Sequence, residues 1–279
     1  MAEGMDFNKV YRINAFEVPG WGYSDFTRTG KLGVWNMSHI LESGGRLSSI
    51  FQLQSLYSPR GVKVFPVVSA QKTVVSRDLH RLATIQFPMM FFYKIGYIGN
   101  TSLSLVFELW HKKSETFLLQ TERQYVFIDV ESRKTQPLPQ YLENIRDQFP
   151  RNEFSVKLSS KPTNLSKVYV TMFRITASDL DKNYHTNQSV YYRFSLDAAY
   201  EAWKSGFLQN FRADPCQYGA KYFEGKHVRE TFVGDQISVS LWEDELDQLT
   251  LNFEIHKVVD NAYVMYQKIA FFPLNNSKL

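Results

Sequence analysis

The sequence predicts an α+β fold built from two similar halves, each an antiparallel sheet wrapped around one long helix. Two observations predict it. A strand-like pattern, LSLVFEL at Leu103–Leu109, returns 146 residues later as LTLNFEI at Leu249–Ile255. A helical pattern at Val34–Leu56 returns 154 residues later at Gln188–Lys204. Because the two offsets differ, the loops that follow the helices must differ in length between the halves.

The order of elements within each half follows from the same alignment. The stretch SDFT at Ser24–Thr27 precedes the first helix, and SDLD at Ser178–Asp181 precedes the second. After the helices come alternating segments, of which Phe117–Val126 matches Tyr263–Phe272 at the offset of 146. Alternation interrupted by turn-like residues predicts antiparallel strands. Each half is therefore predicted to contain a strand, a long helix and then several strands.

With 279 residues, the chain can bury one large core or two ordinary ones. The repeat predicts an N-terminal half at residues 8–150 and a C-terminal half at residues 168–275. Between them, the polar segment 151–167 contains Pro, Ser and Lys and is predicted to be a linker, and 276–279 form a tail. Each half alone leaves a sheet edge exposed, so we expect the halves to pair edge to edge in one sheet.

Composition and charge exclude several classes of function. The net charge of +4, from 32 basic and 28 acidic residues, is too small and too scattered to indicate nucleic-acid binding. No apolar run reaches the roughly 18 residues of a membrane span, and no secretory signal is visible. The six His residues are dispersed and Cys216 is the single cysteine, so neither a metal site nor a disulfide is predicted. No cofactor is predicted, and a homodimer is compatible with the sequence.

The chain ends in a short targeting pattern. Its last three residues are Ser277, Lys278 and Leu279. A terminal Ser-Lys-Leu is the address that the peroxisomal import receptor reads. The preceding stretch PLNN, which begins at Pro273, is typical of an exposed tail. The sequence therefore predicts import into peroxisomes.

The stretch Ser178–Tyr192 carries the strongest indication of chemistry. It places an acid, an amide and an imidazole within five residues, at Asp181, Asn183 and His185, just ahead of the second helix. A helix N-terminus offers unpaired N–H groups and a partial positive charge. The side chains offer a base or nucleophile together with orienting donors, a combination that suits carbonyl chemistry. Asp, Asn and Ser are also common in ordinary turns and caps, so these residues alone leave a structural role open.

The repeat helps to separate these two interpretations. At the positions that match the acid, the amide and the imidazole, the first half has Thr27, Thr29 and Lys31. Residues that the loop needs for folding would be expected in both halves. The difference therefore favours chemistry in the second half and predicts one working site per chain.

The second half resembles a known family. Asp179–Tyr191 reads DLDKNYHTNQSVY, and the double hot-dog thioesterases, above all the acyl-ACP thioesterases, carry D-L-D-x-N-x-H-V-N-N-x-x-Y in their second repeat. This chain departs from that run at Thr186 and Gln188. The family also has a glutamate on a later strand in an R-R-E-C setting, and the stretch VRETF at Val228–Phe232 places Glu230 on that position.

The resemblance implies a tandem hot-dog fold and hydrolysis of an acyl thioester. Asp181 would be the nucleophile, or the general base that activates water. Asn183 would orient Asp181 or hold the thioester carbonyl, and His185 would position or polarise the reacting groups. Glu230 would orient or activate the water. The helix N-terminus near Asn187–Ser189 would supply N–H groups to the oxyanion.

Structural interpretations of neighbouring residues remain beside these roles. Asp179 and Asn187 are interpreted as caps and are left out of the catalytic set. Glu230, on a segment that alternates like a strand, would face water in a purely structural reading. A non-catalytic acyl- or lipid-binding protein on the same fold is a further alternative, and the presence of all four family residues argues against it.

The nearest alternative activity is that of a hydratase or dehydratase on the same fold. The motif of those enzymes resembles D-x-N-P-x-H, in which a proline follows Asn and the His lies three residues after Asn. Here Tyr184 follows Asn183 and His185 is two residues on, which favours the thioesterase. Relatives of the plant type use acyl-ACP in plastids, whereas peroxisomes handle CoA esters. The predicted address therefore favours acyl-CoA over acyl carrier protein as the partner that delivers the substrate.

Overall fold

A computed structural model gives the structure of residues 14–18, 20–47, 56–82, 88–149, 154–156 and 158–274. These residues form one continuous antiparallel sheet that carries two long helices. The predicted architecture, two antiparallel halves that share one sheet, is confirmed. The tripeptide Ser277-Lys278-Leu279 lies outside the described residues, so its targeting role stays a prediction.

The described residues contain eleven strands and four α-helices. The strands are β1 (Asn14–Val18), β2 (Leu56–Tyr57), β3 (Lys63–Val75), β4 (Met89–Ile98), β5 (Ser102–His111), β6 (Thr116–Asp129), β7 (Tyr169–Arg174), β8 (Ala220–His227), β9 (Gln236–Glu243), β10 (Thr250–Lys257) and β11 (Tyr263–Phe271). The helices are α1 (Val34–Leu47), α2 (Arg77–Leu82), α3 (Gln140–Glu143) and α4 (Gln188–Lys204). None of these helices has the length and apolar character needed to cross a membrane.

The two halves meet at a seam between β3 and β8. These strands pair antiparallel, from Ala70 opposite Lys226 to Val74 opposite Tyr222. Outward from the seam, the first half runs β3-β6-β5-β4-β1 and the second runs β8-β11-β10-β9-β7, while β2 pairs with β3. The arrangement is pseudo-twofold, and each half covers the sheet edge that the other would leave exposed.

The long helices bury apolar faces against the sheet and against each other. Met37 and Leu41 of α1 are fully buried, as are Tyr192, Ala198 and Ala202 of α4. The alanines give α4 a flat face, which allows it to pack closely on the neighbouring strands β7 and β9. The helices thereby hold the loops at their N-termini in fixed positions relative to the sheet.

The first helix is shorter than the sequence pattern predicts. It begins at Val34 as expected but ends at Leu47, whereas the prediction extended it to Leu56. Two glycines, Gly44 and Gly45, lie in its last turns and weaken helix formation there. Residues 48–55 lie outside the described residues, and Leu56 belongs to β2, opposite Val64. The second helix spans the predicted residues.

The predicted linker contains little regular structure. Of residues 151–167, the segments 154–156 and 158–164 are neither helix nor strand, and Leu165–Lys167 form one 3-10 turn. The bounds proposed for the two halves and for the linker stay predictions.

Candidate active site

The loop that precedes α4 is held by its own backbone. The Asp181 N–H donates to the His185 carbonyl at 2.8 Å, and the Tyr184 N–H donates to the Asp181 carbonyl at 3.0 Å. Tyr184 has a φ of +62°, an uncommon conformation for a bulky residue. This turn brings Asp181 and His185 side by side at the N-terminal end of α4.

The Asp181 carboxylate accepts hydrogen bonds from the loop and keeps part of its acceptor capacity for other partners. Its Oδ1 accepts the Asn183 N–H at 2.7 Å and the His185 N–H at 3.4 Å. Its Oδ2 accepts the Asn183 side-chain Nδ2 at 3.3 Å. A carboxylate has about four lone-pair sites, so one remains after these three bonds. Because Asp181 is only half-buried, that site is accessible to water or to a substrate.

His185 faces Glu230 across the site. Its Nε2 lies 3.5 Å from one carboxylate oxygen of Glu230, and the other oxygen accepts a hydrogen bond from the Arg133 guanidinium. The ring of Phe232 packs edge-to-face on the imidazole at 5.1 Å. Arg133 follows β6 in the first half of the sheet, so this candidate site contains residues of both halves. No pattern in the sequence marks Arg133, because its partner is 97 residues away.

Glu230 lies in a loop, which corrects the expectation of a strand at Val228–Phe232. The strand β8 ends at His227, and the N–H groups of Val228 and Arg229 both donate to the Val264 carbonyl, at 2.9 and 3.2 Å. Because both N–H groups use one carbonyl, the regular ladder of hydrogen bonds between the strands is interrupted. The chain therefore leaves the sheet here, although its sequence alternates like that of a strand. The loop turns Glu230 toward His185.

A buried cluster of hydroxyl groups, here called the threonine latch, joins the two loops of the site. Its members are Thr186, Thr231 and Tyr191. The Thr186 N–H donates to the Thr231 carbonyl at 2.9 Å. The Thr231 Oγ1 shares hydrogen bonds with the Thr186 Oγ1 at 2.7 Å and with the Tyr191 hydroxyl at 2.8 Å. Thr186 and Thr231 directly follow His185 and Glu230, so the latch sets the distance between those two side chains.

The N-terminus of α4 is capped by Asn187. Its Oδ1 accepts the Ser189 N–H at 2.8 Å, and its own N–H donates to the Asp179 carbonyl at 2.9 Å. The sequence suggested the N–H groups of Asn187–Ser189 as donors to an oxyanion, and these bonds already occupy the first and the last of them. Among the described residues, the Gln188 N–H is the one of the three without an acceptor, so it is the remaining candidate donor.

Asp179 has a structural role, as its interpretation as a cap predicted. It is nearly fully buried and accepts the Thr176 N–H at 2.8 Å, the Thr176 hydroxyl at 2.7 Å and a hydrogen bond from Arg193. Burial raises the pKa of this carboxyl, but the hydrogen bonds from Thr176 and Arg193 outweigh it and hold the pKa below its usual range. Asp179 therefore fixes the start of the loop through these hydrogen bonds.

The first half contains the same loop with different side chains. The Thr27 N–H donates to the Lys31 carbonyl at 2.7 Å, and the Gly30 N–H donates to the Thr27 carbonyl at 2.9 Å. Gly30, like its counterpart Tyr184, has a positive φ, of 73°. Asp25 is the counterpart of Asp179 and accepts the Gly22 N–H at 2.7 Å. The two loops thus share the backbone and the cap, and they differ at the acid, the amide and the imidazole.

Comparison with known proteins reveals similarity through structure alone. No protein-family model matches the chain, and no curated protein matches it by sequence. A protein of Lactobacillus plantarum assigned as an oleoyl thioesterase superposes with a TM-score of 0.68 at 12% identity, covering 94% of this chain and 96% of that one. An acyl-ACP thioesterase from Bacteroides thetaiotaomicron gives a TM-score of 0.64 at 16% identity, covering 93% and 97%. The 12:0-ACP thioesterase from Umbellularia californica gives 0.65 at 14%, covering 93% and 98%.

These likenesses establish the fold. They extend over nearly the whole of each chain, so both halves take part in the match. The chain has the double hot-dog fold, as its sequence predicted. The identities are too low to carry activity across from one chain to another, and the chemistry must be argued from the residues of this chain.

Proposed function

We propose that the chain hydrolyses acyl thioesters, converting an acyl-CoA or acyl-ACP and water into a free acid and a thiol. One observation carries the proposal. Two loops of the same backbone geometry stand ahead of the two long helices, and only the second bears an acid, an amide and an imidazole. Because the first loop folds without an acid, an amide and an imidazole, these side chains are available for chemistry in the second loop. The similar structures are those of proteins described as thioesterases, which supports the same reaction class.

Asp181 is the reacting carboxylate in this proposal. As a general base it takes a proton from water, whose oxygen then bonds to the acyl carbon while the carbon–sulfur bond breaks. As a nucleophile it would form an acyl-enzyme anhydride that water cleaves in a second step. In both routes the leaving thiolate gains a proton. Asn183 keeps the carboxylate in one orientation through its bonds to both carboxylate oxygens.

His185 and Glu230 act together beside this carboxylate. Arg133 holds one oxygen of Glu230, and the other faces the His185 ring at 3.5 Å. A carboxylate fixed in this way orients the imidazole, which then polarises the thioester or the water. The N–H of Gln188, at the positive end of the α4 dipole, is placed to stabilise the oxyanion.

The decisive assay is thiol release from acyl thioesters, comparing the wild type with Asp181→Asn. The amide oxygen can still accept the Asn183 N–H, so the loop should persist, but the amide can neither attack nor take a proton. We expect kcat to fall by about 100-fold or more, with an unchanged melting temperature. Thr27→Ala, the change at the matching position of the first half, is the control and should leave hydrolysis nearly intact. Full activity in Asp181→Asn, or equal losses in both variants, would contradict the assignment.

The carrier and the rival reaction are separated by the choice of substrate. A panel of acyl-CoAs and acyl-ACPs of graded chain length, read with a thiol-trapping dye, identifies the carrier. The preference for acyl-CoA depends on the predicted peroxisomal address. Enoyl-CoA offered in the same buffer tests for hydration. Addition of water to the double bond without thiol release would favour the hydratase.

A further inference from the structure

Tyr184 directly precedes His185 and holds a bulky side chain at a backbone position that suits glycine. Its φ of +62° lies in the left-handed region, where the Cβ of any other residue makes unfavourable contacts with the backbone. Within the described part of the chain, four non-glycine residues have a positive φ, and Tyr184 is the aromatic one among them. Because this conformation costs folding free energy, the tyrosine has a reason other than the backbone.

The first half shows that the loop folds without this side chain. Gly30 occupies the matching position with a φ of 73°. A β-bridge between Phe26 and Leu32 brackets the first loop. The corresponding bridge, between Leu180 and Thr186, brackets the second. Because the two frameworks match and glycine adopts this φ without steric cost, the loop does not require a tyrosine ring, and the ring is available to meet a ligand.

The Tyr184 side chain is open to solvent. The residue is 79% exposed, and its side chain has no hydrogen bond or ring contact with any other described residue. Lys182 and Asn183, which form the tip of the loop with it, are exposed as well. A ligand can therefore reach the whole ring without any rearrangement of the chain.

A second exposed aromatic ring lies beside the same imidazole. Phe232 packs edge-to-face on His185 at 5.1 Å, yet 45% of the residue stays exposed. Its loop is fixed, because the Phe232 N–H donates to the Asp235 carboxylate at 2.8 Å and Lys257 lies 2.9 Å from that carboxylate. Two exposed rings thus lie next to His185, Tyr184 in sequence and Phe232 by contact, and they are here called the aromatic rim. Single exposed apolar residues are common on protein surfaces, whereas a pair beside the reacting groups indicates a binding surface.

We infer that Tyr184 binds the pantetheine arm of the substrate, the part that CoA and acyl carrier protein share. This inference rests on the proposed hydrolysis of acyl thioesters. A thioester held at Asp181 and His185 brings its sulfur, and the arm attached to it, within reach of Tyr184, because the Cα atoms of neighbouring residues are about 3.8 Å apart. The apolar acyl chain is stabilised by burial, whereas the arm leads to a charged nucleotide or a protein that stays in solvent. An exposed ring therefore meets the arm rather than the acyl chain.

The chemistry of the arm suits a tyrosine ring. The arm contains planar amides and a pair of methyl groups, for which the ring offers an apolar face and a hydroxyl that can donate to or accept from an amide. The hydrogen bond from the Tyr184 N–H to the Asp181 carbonyl, of 3.0 Å, fixes the backbone that carries the ring. The arm does not change during hydrolysis, so this contact is equally strong in the ground state and the transition state. Such uniform binding lowers KM and leaves kcat unchanged.

Thiol release from three thioesters of one acyl group tests this inference. The thiols are CoA, pantetheine and ethanethiol, which lacks the arm. Tyr184→Gly should raise KM about tenfold for the first two esters, keep kcat within about twofold, and leave kcat/KM for the ethanethiol ester unchanged. Its melting temperature should be no lower than that of the wild type, because glycine suits the positive φ. Tyr184→Phe keeps the ring and should keep KM within about threefold. Glu115→Gly, the matched control, changes another exposed residue of positive φ, of 51°, in the turn between β5 and β6, and should show wild-type KM values.

The outcomes separate this inference from the proposed hydrolysis. If the wild type hydrolyses the esters and Tyr184→Gly has the same KM for acyl-CoA as Glu115→Gly, the inference is overturned and the hydrolysis stands. An equal fall in kcat/KM for the ethanethiol ester would assign the ring to the acyl group and overturn the inference as well. So would a rise in KM for Tyr184→Phe as large as that for Tyr184→Gly, because the ring would then contribute nothing. If the wild type releases no thiol from any ester, the proposed hydrolysis fails and the inference fails with it.

Discussion

The substitution Thr231→Val tests whether the threonine latch aligns the candidate active site. Thr231 is fully buried, and its hydroxyl bonds to the hydroxyls of Thr186 and Tyr191 at 2.7 and 2.8 Å. Valine has nearly the same shape but no hydroxyl. The backbone bond from the Thr186 N–H to the Thr231 carbonyl survives, and so does the bond from the Thr186 hydroxyl to that carbonyl at 3.1 Å. The chief loss is the partner of the buried Tyr191 hydroxyl.

The expected cost follows from that loss. Leaving one buried hydroxyl without its partner costs about 1–3 kcal/mol of unfolding free energy. Removing both partners of a hydrogen bond costs less, so Tyr191→Phe should be nearly neutral in the Thr231→Val background. The coupling between the two changes should be about 1 kcal/mol. Loosening the latch also changes the distance between His185 and Glu230, and we expect kcat to fall by about 10- to 100-fold with little change in KM.

Four proteins are compared: the wild type, Thr231→Val, Tyr191→Phe and the double variant. Urea unfolding measures the free energy of unfolding of each, and thiol release measures its kcat. Thr73→Val is the matched control, because Thr73 is also fully buried and bonds to the Thr121 hydroxyl at 2.8 Å, away from the site. It should lose stability and keep its kcat. If Thr73→Val and Thr231→Val lower kcat equally, the latch has no positioning role. If Tyr191→Phe costs the same free energy in both backgrounds, the hydroxyls of Thr231 and Tyr191 are not coupled.

Two further predictions concern ionisable groups away from the site. Burial raises the pKa of Asp244, but hydrogen bonds from Lys268 and Asn252 outweigh it and bring the pKa to about 2, below the usual 3.8. This carboxylate should therefore contribute about 2 kcal/mol to the unfolding free energy above about pH 4 and lose that contribution as the pH falls towards 2. When the unfolding free energy is measured as a function of pH, Asp244→Asn should not show this loss. Burial, and then the neighbouring Asp214, raise the pKa of the Cys216 thiol to about 12. Iodoacetamide should therefore label Cys216 at pH 8 only after denaturation, and rapid labelling of the folded chain would contradict this.

The repeat in the sequence predicted more of the fold than any single element did. The offset of 154 residues relates the starts of the two long helices, Val34 and Gln188, and also the 3-10 turns Tyr23–Asp25 and Ala177–Asp179 that precede them. Because the repeat occurs in both halves, each copy supports the assignment of the same elements in the other. The end of α1 was predicted less well, because an apolar stretch after Gly44 and Gly45 fits a helix or a strand, and neither copy decides between them.

The partners of the candidate residues could not be read from the sequence. Asp181, Asn183 and His185 lie within five residues, so a local motif suffices to identify them. Arg133 reaches Glu230 only because β6 and β8 both flank β3, and that arrangement depends on how the whole sheet is paired. Long-range pairing leaves no local pattern, and alternation even misassigned the loop around Glu230 as a strand.

The two loops show how a duplicated fold can carry different chemistry at its two copies. Their caps, Asp25 and Asp179, and their positive-φ positions, Gly30 and Tyr184, are equivalent, so the two loops share one backbone framework although the residues between these positions differ. In the second half the residues that differ are an acid, an amide and an imidazole, which suit proton transfer. In the first half they are Thr27, Thr29 and Lys31, and none of these is an acid. The Thr27 Oγ1 accepts the Thr29 N–H at 3.3 Å, just as the Asp181 Oδ1 accepts the Asn183 N–H. An aspartate at position 27 can accept the same N–H, so Thr27→Asp should keep the melting temperature of the wild type.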